Sequence, residues 1–124
     1  KIVAQASRRR VYIADESKLS PCLGTLRAVP VEVIPFAREV VARYIESLGG
    51  KPVVRLGSDG SPFHTDQGNL IIDCNFGPMS QPAKVHQALK EQAGIVEHGL
   101  FLGIATDCVI AGRDGVRQLT PLRP

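Results

Sequence analysis

The sequence predicts an α/β chain in which a small α+β lobe is inserted between two parts of a second sheet. Three observations lead there. From Val29 to Phe101, strand-like and helix-like periodicities alternate as strand, helix, strand, strand, helix, strand. A short apolar strand at Val11 to Ala14 precedes that series, and a hairpin pattern from Asp107 to Leu119 follows it. With 124 residues, of which 44% are hydrophobic, the chain is long enough for one core or for two small lobes sharing a sheet.

Ile2, Val3 and Ala6 carry the tail of a helical pattern with no capping residue ahead of it. Arg8-Arg9-Arg10 then reads as a solvated helix end, where cations suit the negative end of the helix dipole. Val11 to Ala14 reads as a short buried strand that runs without a spacer into Asp15, Glu16, Ser17 and Lys18. A connector rich in turn formers leads to Val29-Pro30-Val31-Glu32-Val33-Ile34, whose alternation predicts a strand, with Pro30 confining its start to an edge or first position.

Pro35 serves as the first helical residue, where its missing N–H costs nothing. Phe36, Val40, Val41, Tyr44, Ile45 and Leu48 recur at helical spacing and predict an inward stripe, which Gly49-Gly50 ends. Pro52 to Leu56 and Asn69 to Cys74 predict two strands joined by a loop that closes in Thr65-Asp66-Gln67-Gly68. A second helix follows Ser80, with Pro82 near its start and Val85, Ala88 and Leu89 facing inward, and Ile95 to Phe101 supplies another strand. This order is that of the split βαβ, ferredoxin-like unit. Asp107 to Ala111 and Val116 to Leu119 pair around Arg113-Asp114-Gly115, where Asp-Gly signals a tight hairpin. Residues 29–101 are therefore assigned to the small lobe, and residues 1–28 and 102–124 to the other sheet.

Composition narrows the function classes. No run approaches the roughly 20 apolar residues of a spanning helix, and KIVAQASRRR places its apolar residues before its charges, the reverse of a secretory signal. No membrane partner is expected, and a cytosolic address is the default. Cys22, Cys74 and Cys108 form no CxxC pair and read as reduced, packed thiols. The net charge of +3 raises nucleic acid as a partner. The single basic cluster has no interleaved aromatics to stack on bases, so no nucleic-acid partner is expected.

His64, Asp66 and Asp73 could be read as metal ligands, and Cys74 with His86 or His98 as nucleophile and base. Neither set has a specific spacing behind it. His64 and Asp66 fit turn chemistry, and surface or hydrogen-bonded positions suit His86 and His98. That leaves Asp15-Glu16-Ser17-Lys18. A lysine just past a strand end can reach over the strand's mouth, where ligands bind in α/β folds and a compact ammonium suits a phosphate or a developing oxyanion. The competing reading is an ordinary exit into solvent.

The run ADESK followed by LG, then PVEVIPFAREVVAR, LGG, TDQGN and VEHGLF, resembles the type A ribose-5-phosphate isomerase family in the same order and at similar spacings across nearly the whole chain. The resemblance implies a ferredoxin-like small lobe at 29–101, set in a Rossmann-like catalytic domain of which residues 1–28 and 102–124 are a part. It implies that Lys18 is a substrate-binding lysine, that no metal or organic cofactor is required, and that the partner is a small-molecule sugar phosphate.

The resemblance also implies a homo-oligomer, dimer or tetramer. The activity it implies is interconversion of ribose 5-phosphate and ribulose 5-phosphate through a cis-enediolate in the pentose phosphate pathway. One carboxylate moves the proton, and Lys18 acts electrostatically because an exposed lysine is not desolvated. The family's general-base glutamate matches the position immediately before Lys1, so no catalytic residue is carried over and the chain alone is expected to be inactive. One departure from the family is the loop Gly57 to Phe63, longer than its usual hairpin. The alternative is a non-catalytic sugar-phosphate-sensing or oligomerisation domain, since fold does not dictate function.

Overall fold

Period-2 and period-3.6 patterns become, in chain order, α1 (Ile2–Ala6), β1 (Val11–Asp15), β2 (Val29–Val33), α2 (Arg38–Ser47), β3 (Lys51–Val54), β4 (Leu70–Asn75), α3 (Pro82–Glu91), β5 (Ile95–His98), β6 (Asp107–Gly112) and β7 (Gly115–Leu119). The computed structural model describes residues 1–120. Its contacts divide it into two units, Cys22–Leu100 and Lys1–Pro21 with the residues from Phe101 onward.

The Cys22–Leu100 unit holds a four-stranded sheet in the order β3-β4-β2-β5, every neighbouring pair antiparallel. Val29, Val31 and Val33 of β2 stand opposite Cys74, Ile72 and Leu70 of β4, and all six are buried on one face. Val41 and Ile45 of α2 and Leu89 of α3 are fully buried with them. Burial of such side chains contributes about 1.5–3 kcal/mol each. The element order and sheet order together are those of the ferredoxin-like unit.

The start of α2 departs from the expected stripe. Pro35–Ala37 forms a 3-10 turn in which Ala37 N–H donates to the Ile34 carbonyl at 2.9 Å, while Ile34 N–H donates to Gly94 at 3.0 Å. This brings Ala37 against the Cα of Gly94, where a side chain would collide with it. Ala37, Val41 and Ile45 therefore form the buried series, four residues apart. Phe36 is 98% exposed and Val40 52% exposed, and Tyr44 and Leu48 are half-buried.

The strand expected through Leu56 ends at Val54, and the chain continues as a narrow ribbon. Leu56 bridges Pro62, His64 bridges Leu70, and Phe63 N–H donates to the Arg55 carbonyl at 2.8 Å. Residues 22 to 28 pack with this unit through the loop ahead of α3. Cys22 Sγ donates to the Met79 carbonyl at 3.2 Å, and Met79 N–H donates to Leu23 at 2.8 Å. Gly24, at φ 85°, sits where a Cβ would strike the carbonyl oxygen of Gly77.

In the other unit the sheet order is β1-β6-β7, with β1 parallel to β6 and β6 antiparallel to β7. Tyr12 and Ala14 of β1 share a face with Cys108 and Ile110 of β6, and Tyr12 meets Phe101 edge-on at 6.1 Å between centroids. The expectation of a buried β1 is corrected: Ile13 is 81% exposed and Val11 47%, because among the described residues nothing covers their face.

The arginines are not a helix-dipole end either. Ser7 closes α1 by donating to Val3 at 2.7 Å, Arg9 pairs with Asp107 at 3.0 and 3.2 Å, and Arg10 N–H donates to Thr106 Oγ1 at 2.8 Å. Gly112 and Gly115 close the β6–β7 hairpin, leaving Arg113 and Asp114 as its loop. The left-handed residue is Gly115 at φ 110°, which opens β7, so Asp114-Gly115 does not fill the two central turn positions.

Candidate active site

β1 ends in Asp15, and the chain then turns once as a 3-10 helix, Glu16–Lys18. Asp15 builds that turn. Its Oδ1 accepts from Ser17 N–H at 2.8 Å, satisfying a donor that would otherwise be orphaned at the helix start, and Leu19 N–H closes the turn on the Glu16 carbonyl at 3.1 Å. The hydrogen bonds from Ser17 hold the Asp15 carboxyl below the usual carboxylate range, with the charge of Lys18 a smaller contribution in the same direction. Glu16 lays its side chain over Gly112 on β6, where a Cβ would meet its carboxylate. Lys18 is the last residue of the turn and is exposed. The arrangement presents a cation on a capped turn at the carboxyl end of a parallel strand, suited to a phosphate or an oxyanion. A shallow hollow beside the turn is lined by Glu16, Gly112, Asp114, Gly115, Val116 and Arg117, without Lys18.

The other candidate residues are dispersed. His64 Nδ1 lies 3.4 Å from the Gly68 carbonyl oxygen within the exposed turn, and Asp73 receives a two-pronged bond from Arg55 at 2.7 and 3.0 Å. Cys74 is fully buried, with its thiol 3.4 Å from the Ile72 carbonyl, and burial pushes its pKa up to about 12. A thiol so held is no nucleophile. His86 and His98 do meet, edge to face at 4.9 Å between centroids. His98 is buried, and its Nδ1 accepts from Leu100 N–H at 3.2 Å, a hydrogen-bonded core position. Among the described residues no three His, Cys, Asp or Glu side chains converge as a metal site, and no helix is long and apolar enough to cross a membrane.

Sequence reasoning missed what the TDQGN turn does. Thr65 Oγ1 and Asn69 Nδ2 both donate to Glu32 Oε1, tying the turn to the centre of β2. The available signal was Glu32 itself, an acid in the middle of an apolar alternation.

Residues 1–115 match the family model described as ribose 5-phosphate isomerase A (phosphoriboisomerase A). The ribose-5-phosphate isomerase A of Chloroflexus aurantiacus is 55% identical over 120 residues, covering 97% of this chain and 50% of that protein. That of Desulfatibacillum aliphaticivorans is 50% identical over 119 residues, covering 96% and 52%. Among solved structures, a ribose-5-phosphate isomerase in complex with phospho-erythronic acid matches with a TM-score of 0.93 at 31% identity, covering 98% of this chain and 53% of that one. The ribose 5-phosphate isomerase A of Methanocaldococcus jannaschii matches with a TM-score of 0.91 at 36% identity, covering 98% and 53%. The chain spans about half the length of the curated relatives it matches. It follows from the match over residues 1–115 that the chain belongs to the ribose 5-phosphate isomerase A family.

Proposed function

We propose that the full-length protein carrying this chain interconverts ribose 5-phosphate and ribulose 5-phosphate, and that Lys18 is the substrate-binding cation this chain supplies. The observation that carries the reading is the placement of Lys18 on an Asp15-capped turn at the carboxyl end of a parallel strand. A relative in complex with phospho-erythronic acid supports it, since a phosphorylated acid is the kind of anion a fixed ammonium attracts. Moving a proton between C1 and C2 of the sugar builds negative charge on an enediolate oxygen. A cation already in place stabilises that charge without reorganising at the moment of reaction. Lys18 thus steadies charge, and a carboxylate moves the proton.

The same reading includes a cytosolic address and a homo-oligomer, dimer or tetramer. Phe36, in the 3-10 turn ahead of α2, and Val40, within α2, are exposed apolar side chains suited to a subunit contact. The test is a coupled assay of ribose 5-phosphate turnover by the full-length protein beside residues 1–124 alone. Turnover by the full-length protein and none by the shorter chain is expected. A full-length protein that binds the sugar phosphate without turning it over would favour a sensing domain instead. Turnover by residues 1–124 that scales with concentration and survives repurification would misplace the site.

A further inference from the structure

We propose that the outer edge of β5 is a strand-pairing surface fitted to the β5 of a second copy, and that a clamp formed by Glu97 and Lys90 holds it shut. The four-stranded sheet ends in β5 on one side and β3 on the other, and among the described residues neither outer edge pairs with a strand. An edge of this kind is a ready template for another chain. The β5 edge suits its own copy, because antiparallel pairing about a two-fold axis sets a strand against itself.

The backbone directions show what the clamp covers. Gly99 N–H donates to the Pro30 carbonyl of β2 at 2.8 Å, so the preceding amide, that of His98, points away from β2 to the open edge. Glu97 Oε1 accepts that N–H at 2.9 Å, and Glu97 Oε2 lies 3.5 Å from Lys90 Nζ. The two charged residues start from opposite sides of the sheet. His98 stands beside Val31 on the helix-covered face and meets His86 of α3, the helix that also carries Lys90. Glu97 stands beside Glu32 on the other face. The ion pair therefore passes around the outer edge of β5, through the space about 4.8 Å out where an added strand would lie. An ion pair this exposed adds little stability, so its position on the edge is what sets it apart. A bulge spoils the template further: Ile95 and Glu97 face Val33 and Glu32, leaving Val96 as an extra residue between them. The β3 edge is blunted by Lys51 and by Pro52, which has no N–H to offer. The clamp's role is independent of the one given to Lys18.

The test is sedimentation velocity on the full-length protein and its variants across a concentration series. Glu97→Val removes both the acceptor and the charge. It should assemble beyond the parent's own state at a concentration about tenfold or more lower, since each copy then frees a backbone donor for the other. Glu97→Gln keeps an acceptor oxygen for His98 N–H and should fall between the two. Glu46→Val makes the same change at an exposed position of α2, away from the edge, and should behave as the parent. Amide hydrogen exchange reads the edge directly: His98 N–H should exchange faster in dilute Glu97→Val than in the parent and become protected again in its assemblies. Should Glu97→Val lose the parent's circular dichroism, Lys90→Ala decides, because it changes only an exposed helical side chain and should lower the assembly concentration severalfold on its own. A folded Glu97→Val or a Lys90→Ala that assembles no more than the parent would overturn the proposal. So would equal assembly by Glu46→Val, or a His98 amide that stays unprotected in the assemblies.

Discussion

Glu32 Oε1 and Thr65 Oγ1 lie 2.8 Å apart, the hydroxyl donating to the carboxylate, and Asn69 Nδ2 donates to the same oxygen at 3.0 Å. Glu32 stands on the side of β2 opposite Val31 and Val33, and Thr65 and Asn69 close the turn ahead of β4. The turn is tied within itself as well: Thr65 N–H donates to the Asn69 carbonyl at 2.8 Å, and Asn69 N–H donates to Thr65 Oγ1 at 3.1 Å. One half-buried carboxylate thus joins the PVEV strand to the TDQGN turn. Glu32→Ala should destabilise the fold by about 1–3 kcal/mol, since it removes an ionised acceptor and leaves two part-buried donors without it. Glu32→Gln keeps an acceptor oxygen and should recover part of the loss. Urea denaturation of the three proteins checks this, and an unchanged midpoint for Glu32→Ala would show the clamp to be energetically idle.

For Lys18 the expected loss is in catalysis. In the full-length protein, Lys18→Ala should lower kcat/KM roughly tenfold to a hundredfold, the equivalent of a charge-assisted hydrogen bond of about 1.5–3 kcal/mol. Lys18→Arg should restore only part, because a planar fork does not reproduce a point charge. The melting temperature should not move, as the side chain is exposed at the end of its turn. Steady-state kinetics beside a thermal melt separates the outcomes: full kcat/KM in Lys18→Ala makes the residue a solvated strand end, and a collapsed melt makes it structural.

Cys74 should resist a thiol reagent that reaches the half-buried Cys22 and Cys108. Burial raises its pKa from an ordinary 9.0 to about 12, with the charge of Asp73 adding in the same direction. The raised value means the folded state holds this proton more tightly than the unfolded chain. Stability from the neutral thiol is therefore complete below about pH 9 and is lost as pH climbs from there towards about 12. Mass spectrometry after labelling at pH 8, in buffer and in urea, reads the first effect. Equal labelling of Cys74 in both would contradict the burial.

The phase of α2 gives a paired test. Ile45 is fully buried and Phe36 is 98% exposed. Ile45→Ala should cost about 2–5 kcal/mol through the cavity it leaves. Phe36→Ser, the larger change in hydrophobicity, should shift the stability of the monomer by no more than about 0.5 kcal/mol. The reverse ranking in chemical denaturation would restore the stripe that Phe36 and Val40 suggest in the sequence.

Periodicity alone determined the order of the elements from Val29 to His98, because alternation and helical spacing are properties of neighbouring residues and need no partner to be read. The same local logic located the end of β1 and singled out Lys18, since a charged run directly after apolar residues is visible in the chain itself. Only tertiary structure decided which faces are buried. Phe36 and Ala37 are adjacent and both apolar, and the 3-10 turn anchored on Gly94 settles which of them points inward. Val11 and Ile13 have the composition of a buried strand, yet burial depends on what lies across the face, and among the described residues nothing does. The polar ties are likewise a matter of topology. Glu32 and Thr65 are 33 residues apart and Arg9 and Asp107 are 98 apart, so their hydrogen bonds exist because β2 lies beside β4, which the Thr65 turn precedes, and β6 lies beside β1, which Arg9 precedes.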